Sequence, residues 1–310
     1  MSKDLRMISP QTGIFALGDA AQIYLEFSRL AHVPPLELVR TAASFHEPQT
    51  TVGGVNLVIG FRPELWREVA PNDAPPGAAS FPGPMRGPDG FEFPATQADL
   101  WMWFAGASYD IVWENARAAL KALRGIAKLE REVDGWSYRH NRDLTGFEDG
   151  TENPNLMDAP EVALVPSGSP GASASIVLIQ KWRHLDAWYG LSDEQQEAAM
   201  GRTKDDSVEL DEAAMPESSH VSRAKDVVDG EERKIFRRNV PYGNVTDYGT
   251  IFVGFSAEQS RLHRMLERMA GIEGGIRDAL TRYTTPLTGA YYVVPSVTAL
   301  KAFATKPGDA

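Results

Sequence analysis

No cysteine occurs anywhere in the 310 residues. That single absence excludes disulfides, thiolate zinc sites, iron–sulfur clusters, covalently attached c-type haem and cysteine nucleophiles. Basic residues are also in deficit: 31 Lys and Arg against 42 Asp and Glu give a net charge of −11. Meeting nucleic-acid phosphates takes a basic face, and the basic residues here are dispersed, so no nucleic-acid partner is expected. No run approaches the ~20 apolar residues that span a bilayer, so no membrane partner is expected either. The opening MSKDLRMISPQTG has no apolar stretch, cleavage pattern or twin arginine, and the expectation is a cytoplasmic protein. What is present is a globular composition, 43% hydrophobic and 24% charged. At ~100–200 residues per domain the length suggests two domains.

Strand and helix signals recur in a repeated order. In the first half, periodicity predicts strands over 21–27, 55–61 and 99–106 and helices over 34–45, 63–69 and 108–126, with a Pro- and Gly-rich loop over 71–97. In the second half it predicts strands over 174–182, 234–240, 249–255 and 289–296. Helices are predicted over 192–202 and over 256–270, the latter with Ser256 as N-cap. Val58–Ile59–Gly60–Phe61 before a helix carrying Glu64 matches Phe252–Val253–Gly254–Phe255 before a helix carrying Glu258. Together with the matching element order, this suggests an α+β protein made of two βαββαβ ferredoxin-like units. The boundary is expected near 135–170, where Gly, Pro and Ser accumulate.

Residues 146–154 of that junction read GFEDGTENP, three acids and two glycines in nine positions. An EF-hand frame on Gly150 would put Thr145 and Phe147 at ligand positions, which excludes calcium. A zinc site lacks a local histidine. Glu148 and Asp149 are adjacent, so they point to different sides and cannot share one substrate atom. Asp-Gly and Asn-Pro are ordinary turn pairs. Glycines on both sides of Asp149 also permit the close backbone approach that holds one carboxylate rigidly against a ligand.

GFEDGT resembles the GxxDG signature of the dye-decolourising peroxidases. QKWRHLDAW (180–188), EAAMGRTKDDSVEL (197–210), ESSHVSRA (217–224), FRRNVPYG (236–243) and YTTPLTGAYYVVPS (283–296) resemble segments of that family in the same order. The compact length is most similar to its bacterial B-type members. The resemblance implies two ferredoxin-like domains in tandem, of the dimeric α+β barrel type, with haem bound mainly by the C-terminal one. Residues 1–145 would form the first domain, 146–172 the junction and 173–310 the second. It also implies one haem b per chain, hydrogen peroxide and organic donors such as dyes and phenolics as substrates, and a homo-oligomer. The ending KAFATKPGDA suggests that the long tail which docks some relatives into protein nanocompartments is missing. Alternatives are a non-catalytic haem carrier and a haem-modifying enzyme.

By resemblance His220 is the proximal haem ligand, and Asp278, with Glu273 as a rival, bonds its other nitrogen. Asp149 is the distal acid, Arg237 stabilises charge and reaches a propionate, and Asn239 orients peroxide or water. Arg238 should face away, as the next residue on a strand. Gly150, Thr151, Glu152 and Asn153 close the haem pocket, and Phe255 supplies an apolar wall. Glu148 is expected on the side away from the iron, as a structural residue or in a salt bridge with Arg139 or Arg142. Of the other histidines, His32 and His46 are expected at the surface or in packing and His263 on a solvated face. His140 and His184 are the better secondary candidates, His140 as a structural residue or at the haem edge.

Overall fold

The computed structural model describes residues 9–45, 54–139 and 142–304, so His46 and His140 lie outside the described residues. The first half runs β1 (Ala21–Arg29), α1 (Pro35–Ala43), β2 (Val55–Phe61), α2 (Pro63–Val69), β3 (Leu100–Gly106), α3 (Tyr109–Ala122) and β4 (Ala127–Trp136). The second half runs β5 (Ser175–His184), α4 (Asp193–Met200), α5 (His220–Ala224), β6 (Phe236–Arg237), β7 (Val240–Gly243), β8 (Tyr248–Ser256), α6 (Gln259–Met269), β9 (Thr284–Pro286) and β10 (Ala290–Val294). Paired in the order β4-β1-β3-β2-β10-β5-β8-β7 and back to β4, eight antiparallel strands close on themselves. Each seam between halves is a single residue pair, Tyr242 with Gly135 and Val293 with Phe61. The chain is therefore a mixed α/β fold around a closed, barrel-like sheet.

The pleat divides the core in two. Inward residues from both halves, among them Tyr24, Val58, Trp101, Trp103, Val177, Ile179, Val240, Val253 and Phe255, form one cluster inside the barrel. Outward residues such as Leu25, Ile59, Met102, Ile176 and Leu178 pack under helices in a second cluster. A strand feeds both because its side chains alternate. On β5 the outward set continues as Gln180, Trp182 and His184, and on β8 as Thr250 and Phe252. These five residues line one cavity.

Three element expectations are corrected. Strand β4, AKLEREVDGW, is not predicted from the sequence because charge fills one face and Arg131 interrupts the apolar alternation of Leu129 and Val133 on the other. The strand expected over 234–240 is shifted and interrupted: β6 begins at Phe236, and after Arg238 and Asn239 β7 runs on to Gly243. Both pair with β8 in one continuous register, Arg237 opposite Gly254 and Val240 opposite Ile251. They are thus one strand with an interrupted ladder. Helix α6 starts at Gln259, later than expected, and its N-cap position is Glu258; the Ser256 hydroxyl accepts the Glu258 N–H instead.

Candidate active site

The GFEDGTENP segment is a hairpin docked onto a sheet edge. Arg142 and Glu148 pair across it, Asp143 N–H donates to Phe147 O at 3.0 Å, and Gly146 N–H donates to Asp143 O at 3.1 Å. Gly146 (φ 95°) and Gly150 (φ 76°) take left-handed turns on either side of Asp149. Only glycine does this without steric cost. Arg142 braces the hairpin from outside, donating to the carbonyls of Gly146, Lys204 and Asp205. It also pairs with Glu148 at 3.5 Å, so Arg142, not Arg139, is that acid's partner.

Asn153 then clamps the loop to β6. Its amide donates to Arg237 O at 2.8 Å and accepts the Arg237 N–H at 2.9 Å, imitating the missing neighbour of a two-residue edge strand. Asn239 fills the ladder gap. Its side-chain oxygen accepts the Val253 N–H at 3.2 Å, which turns its amide nitrogen toward Asp149 Oδ1 at 3.0 Å. Arg237, Asn239 and Asp149 therefore meet on the cavity side of the sheet.

Asp149 is half-buried, and it lines the cavity with its open side. Burial accordingly dominates its titration and raises its pKa above the ordinary 3.8; the Arg237 guanidinium opposes this, the Asp143 carboxylate adds to it, and the Asn239 donor opposes it. Asp143 lines the same cavity and is raised chiefly by burial, against hydrogen bonds from the Thr145 N–H and hydroxyl.

On the helical side, His220 opens α5 behind Ser219, whose hydroxyl accepts the Ser222 N–H as an N-cap. His220 Nδ1 lies 2.7 Å from Asp278 Oδ2. Asp278 is fully buried, and its other oxygen accepts the Leu280 N–H at 2.8 Å. That geometry fixes the ring and commits Nδ1, leaving Nε2 as the nitrogen available to the cavity. The rival acid Glu273 is engaged elsewhere, with Arg268 at 2.8 Å and Arg264 at 3.6 Å.

Glu152 lines the rim and pairs with Arg202 at 2.8 Å and Lys234 at 3.8 Å. Gly150 and Thr151 also line it. Phe255 does not. It is fully buried inside the barrel, 6.3 Å from Trp103, because an odd step along β8 separates it from the cavity wall. The phenylalanine on the wall is Phe252. Arg238 also points inward, donating to Ile14 O. Sequence reading missed Asp143, Arg202, Gln180 and Phe252 as lining residues. The parity of β5 was the available signal, since Gln180 and His184 are polar residues two steps either side of Trp182 on an otherwise apolar strand.

The cavity opens to solvent, and its space including the open mouth is about 1420 Å³. One wall is apolar, with Val221, Ala224, Met265 and Met269, and the other polar. Gln180 and His184 are buried polar residues of this lining, and His184 Nε2 lies 3.1 Å from the Thr250 hydroxyl. Arg237 supplies a cation with no ion pair among the described residues. One exchangeable imidazole nitrogen, apolar sides and cations at the rim are the donor set a haem with carboxylate arms requires.

A family model described as "Dyp-type peroxidase, C-terminal" matches residues 140–299. A dye-decolorizing peroxidase of Mycolicibacterium paratuberculosis is 33% identical over 309 residues, covering 87% of this chain and 86% of that protein. Among solved structures, a putative dyp-type peroxidase from Shewanella oneidensis superposes with a TM-score of 0.90 at 29% identity, covering 97% of this chain and all of that one. A single-residue variant of DypB from Rhodococcus jostii RHA1, in complex with heme, superposes with a TM-score of 0.84 at 32% identity, covering 95% of this chain and 99% of that one.

Proposed function

The chain belongs to the Dyp-type peroxidase family and is an enzyme of that class, a premise from which we propose that it binds one haem b per chain and reduces hydrogen peroxide while oxidising organic donors, such as dyes and phenolics, in one-electron steps. The observation that carries this reading is the His220–Asp278 pair at 2.7 Å, which leaves one imidazole nitrogen for a metal in the same cavity that Asp149, Arg237 and Asn239 line. Bound haem would supply the iron that takes up peroxide and stores its two oxidising equivalents.

The protein's own groups account for the remaining needs. His220 would be the axial ligand, made more basic by the Asp278 carboxylate at Nδ1. Asp149, as the carboxylate, accepts a proton from peroxide and returns it to the departing oxygen as water leaves. Asn239 holds Asp149 by its Oδ1, which orients the carboxylate at the cavity. Arg237 places a permanent positive charge where negative charge develops. Gly150, Thr151, Glu152 and Asn153 keep the loop closed over the site. A carrier would use His220 alone, whereas the Asn239–Asp149 bond is an arrangement suited to catalysis.

The strand order supports the finer architectural reading. In each half the last strand lies beside the first, β4 next to β1 and β10 next to β5. That is consistent with tandem ferredoxin-like units over 1–145 and 173–310, joined by 146–172. A cytoplasmic homo-oligomer belongs to the same proposal; no described helix is long and apolar enough to cross a membrane.

The test is to titrate the purified chain with haem and follow the Soret band, then mix the loaded protein with peroxide and a dye. Wild type is expected to saturate at one haem per chain and to bleach the dye with peroxide. A His220→Ala protein that keeps the same haem affinity and spectrum would overturn the ligand assignment.

A further inference from the structure

Among the described residues, every one lining the cavity comes from position 143 or later. No described strand or helix of the first half supplies a wall, and Arg238 is the route by which that half nevertheless reaches the site. Arg238 stands between Arg237 and Asn239, and alternation sends its side chain through the sheet into the barrel interior. There it is 9% exposed, its Nη1 donates to Ile14 O at 3.0 Å, its Nη2 lies 3.9 Å from Asp19 Oδ2, and its guanidinium carbon sits 5.1 Å over the Trp103 ring. All three partners belong to the first half. Trp103 is itself held, by a bond from its Nε1 to Gln22 Oε1 at 3.0 Å and by stacking with Tyr24. Asp19 is fixed by Asn56 at 3.1 Å.

A buried guanidinium is an expensive way to fill a barrel core, and its acid stands too far off for a tight ion pair. An apolar side chain would pack there at less cost. What the arginine offers is direction: a planar fork engaging a carbonyl, a carboxylate and a ring fixes the strand's position and its rotation about its own axis. The strand needs this. Its edge segment β6 is two residues long and its ladder is interrupted at Asn239.

We propose that Arg238 is a positioning residue: seated in a socket of Ile14, Asp19 and Trp103, it holds the 236–239 segment so that Arg237 and Asn239 stay aimed at Asp149. The first half thereby sets the geometry of a site that none of its described strands or helices lines. This rests on the distal roles proposed above for those three residues.

The test uses Arg238→Met, Arg238→Lys and Asp19→Asn, the last of which alters the socket without touching the strand. In the haem-free chain, amide exchange at Arg237, Arg238 and Val253 should accelerate about tenfold in Arg238→Met, while α6 amides are unchanged. Arg238→Lys and Asp19→Asn should give smaller accelerations at the same amides. In the haem-loaded protein, the second-order rate with peroxide should fall about tenfold in Arg238→Met at unchanged haem occupancy, and this loss should vanish in an Arg237→Leu background. Unchanged exchange at the three amides overturns the proposal whatever the rates do. Faster exchange with an unchanged peroxide rate overturns it as well, and so does a loss that persists undiminished beside Arg237→Leu. Should Arg238→Met not fold, the lysine and Asp19 variants decide by the same criteria. If Arg237→Leu alone leaves the peroxide reaction untouched, the functional reading has failed, and the exchange measurement still decides whether Arg238 positions the strand.

Discussion

Single side chains here carry opposite electrostatic burdens within one cavity. Asp149 is raised by burial and pulled back first by Arg237 and then by Asn239. If its carboxylate is the working form, the acid limb of the peroxide reaction should lie above the ordinary 3.8. Arg237→Leu should then move that limb further up than Asn239→Ala does, because a full charge is lost in the first case and one donor in the second. Stopped-flow rates from pH 3 to 7, near the ordinary range for carboxylates, check the order; the reverse order would remove Asp149 as the titrating group. His184 is the converse case. Burial pulls it from 6.5 to about 4, so the folded chain keeps it neutral while the unfolded chain takes up a proton below 6.5. The stability it confers is complete above pH 6.5 and is lost as pH falls toward 4, by about 3 kcal/mol. Urea unfolding of His184→Asn should show a flatter pH dependence than wild type in that window. Parallel curves would mean that His184 is protonated in the folded state.

At the level of elements, the site is a loop clipped to an interrupted edge strand. Asn153→Ala removes both bonds to Arg237 and should destabilise the fold by about 1–3 kcal/mol. Asn153→Asp, which can accept but not donate, should fall between the two in denaturant midpoint, and equal midpoints for alanine and wild type would show that the clamp is idle. This device was only partly legible in the sequence. Gly146, Asp149 and Gly150 announce a constrained turn because φ near 76–95° is a glycine position. Parity along the strand separates Arg237 from Arg238. The interruption at Asn239 could not be read, since it depends on a side chain replacing a backbone acceptor across to Val253. Phe255 was misplaced for a related reason: three steps along a strand reverse the face, and only the paired register of β8 shows that Phe252 takes the wall. The strand β4 was lost because charge fills one of its faces and Arg131 breaks the apolar alternation on the other, which leaves no clear period.

Across the whole molecule, two sequence halves that look like separate domains share one interior. Tyr24, Val58, Trp101 and Trp103 of the first pack in the same cluster as Phe236, Val240, Ile251 and Val253 of the second. Both seams that close the barrel have a glycine at or beside the paired residue, Gly135 opposite Tyr242 and Gly60 next to Phe61. A Cβ added at Gly135 would lie 2.8 Å from Val240 Cγ1, and one added at Gly60 would lie 2.9 Å from Tyr292 Cβ. Gly135→Ala and Gly60→Ala should therefore each cost about 1–3 kcal/mol through overpacking and lower the melting temperature by a few degrees. Because the core is common property, calorimetry should still show one cooperative transition for wild type and for both variants. A fragment of residues 146–310 would expose the inward faces of β5, β7 and β8 to water and should not unfold cooperatively by itself. Two resolved transitions in the intact chain, or a sharp melt of that fragment, would establish that the halves are independent and that the barrel is a docking of finished domains; a single transition lost on division places folding, like the aim of Arg237, in contacts between the halves.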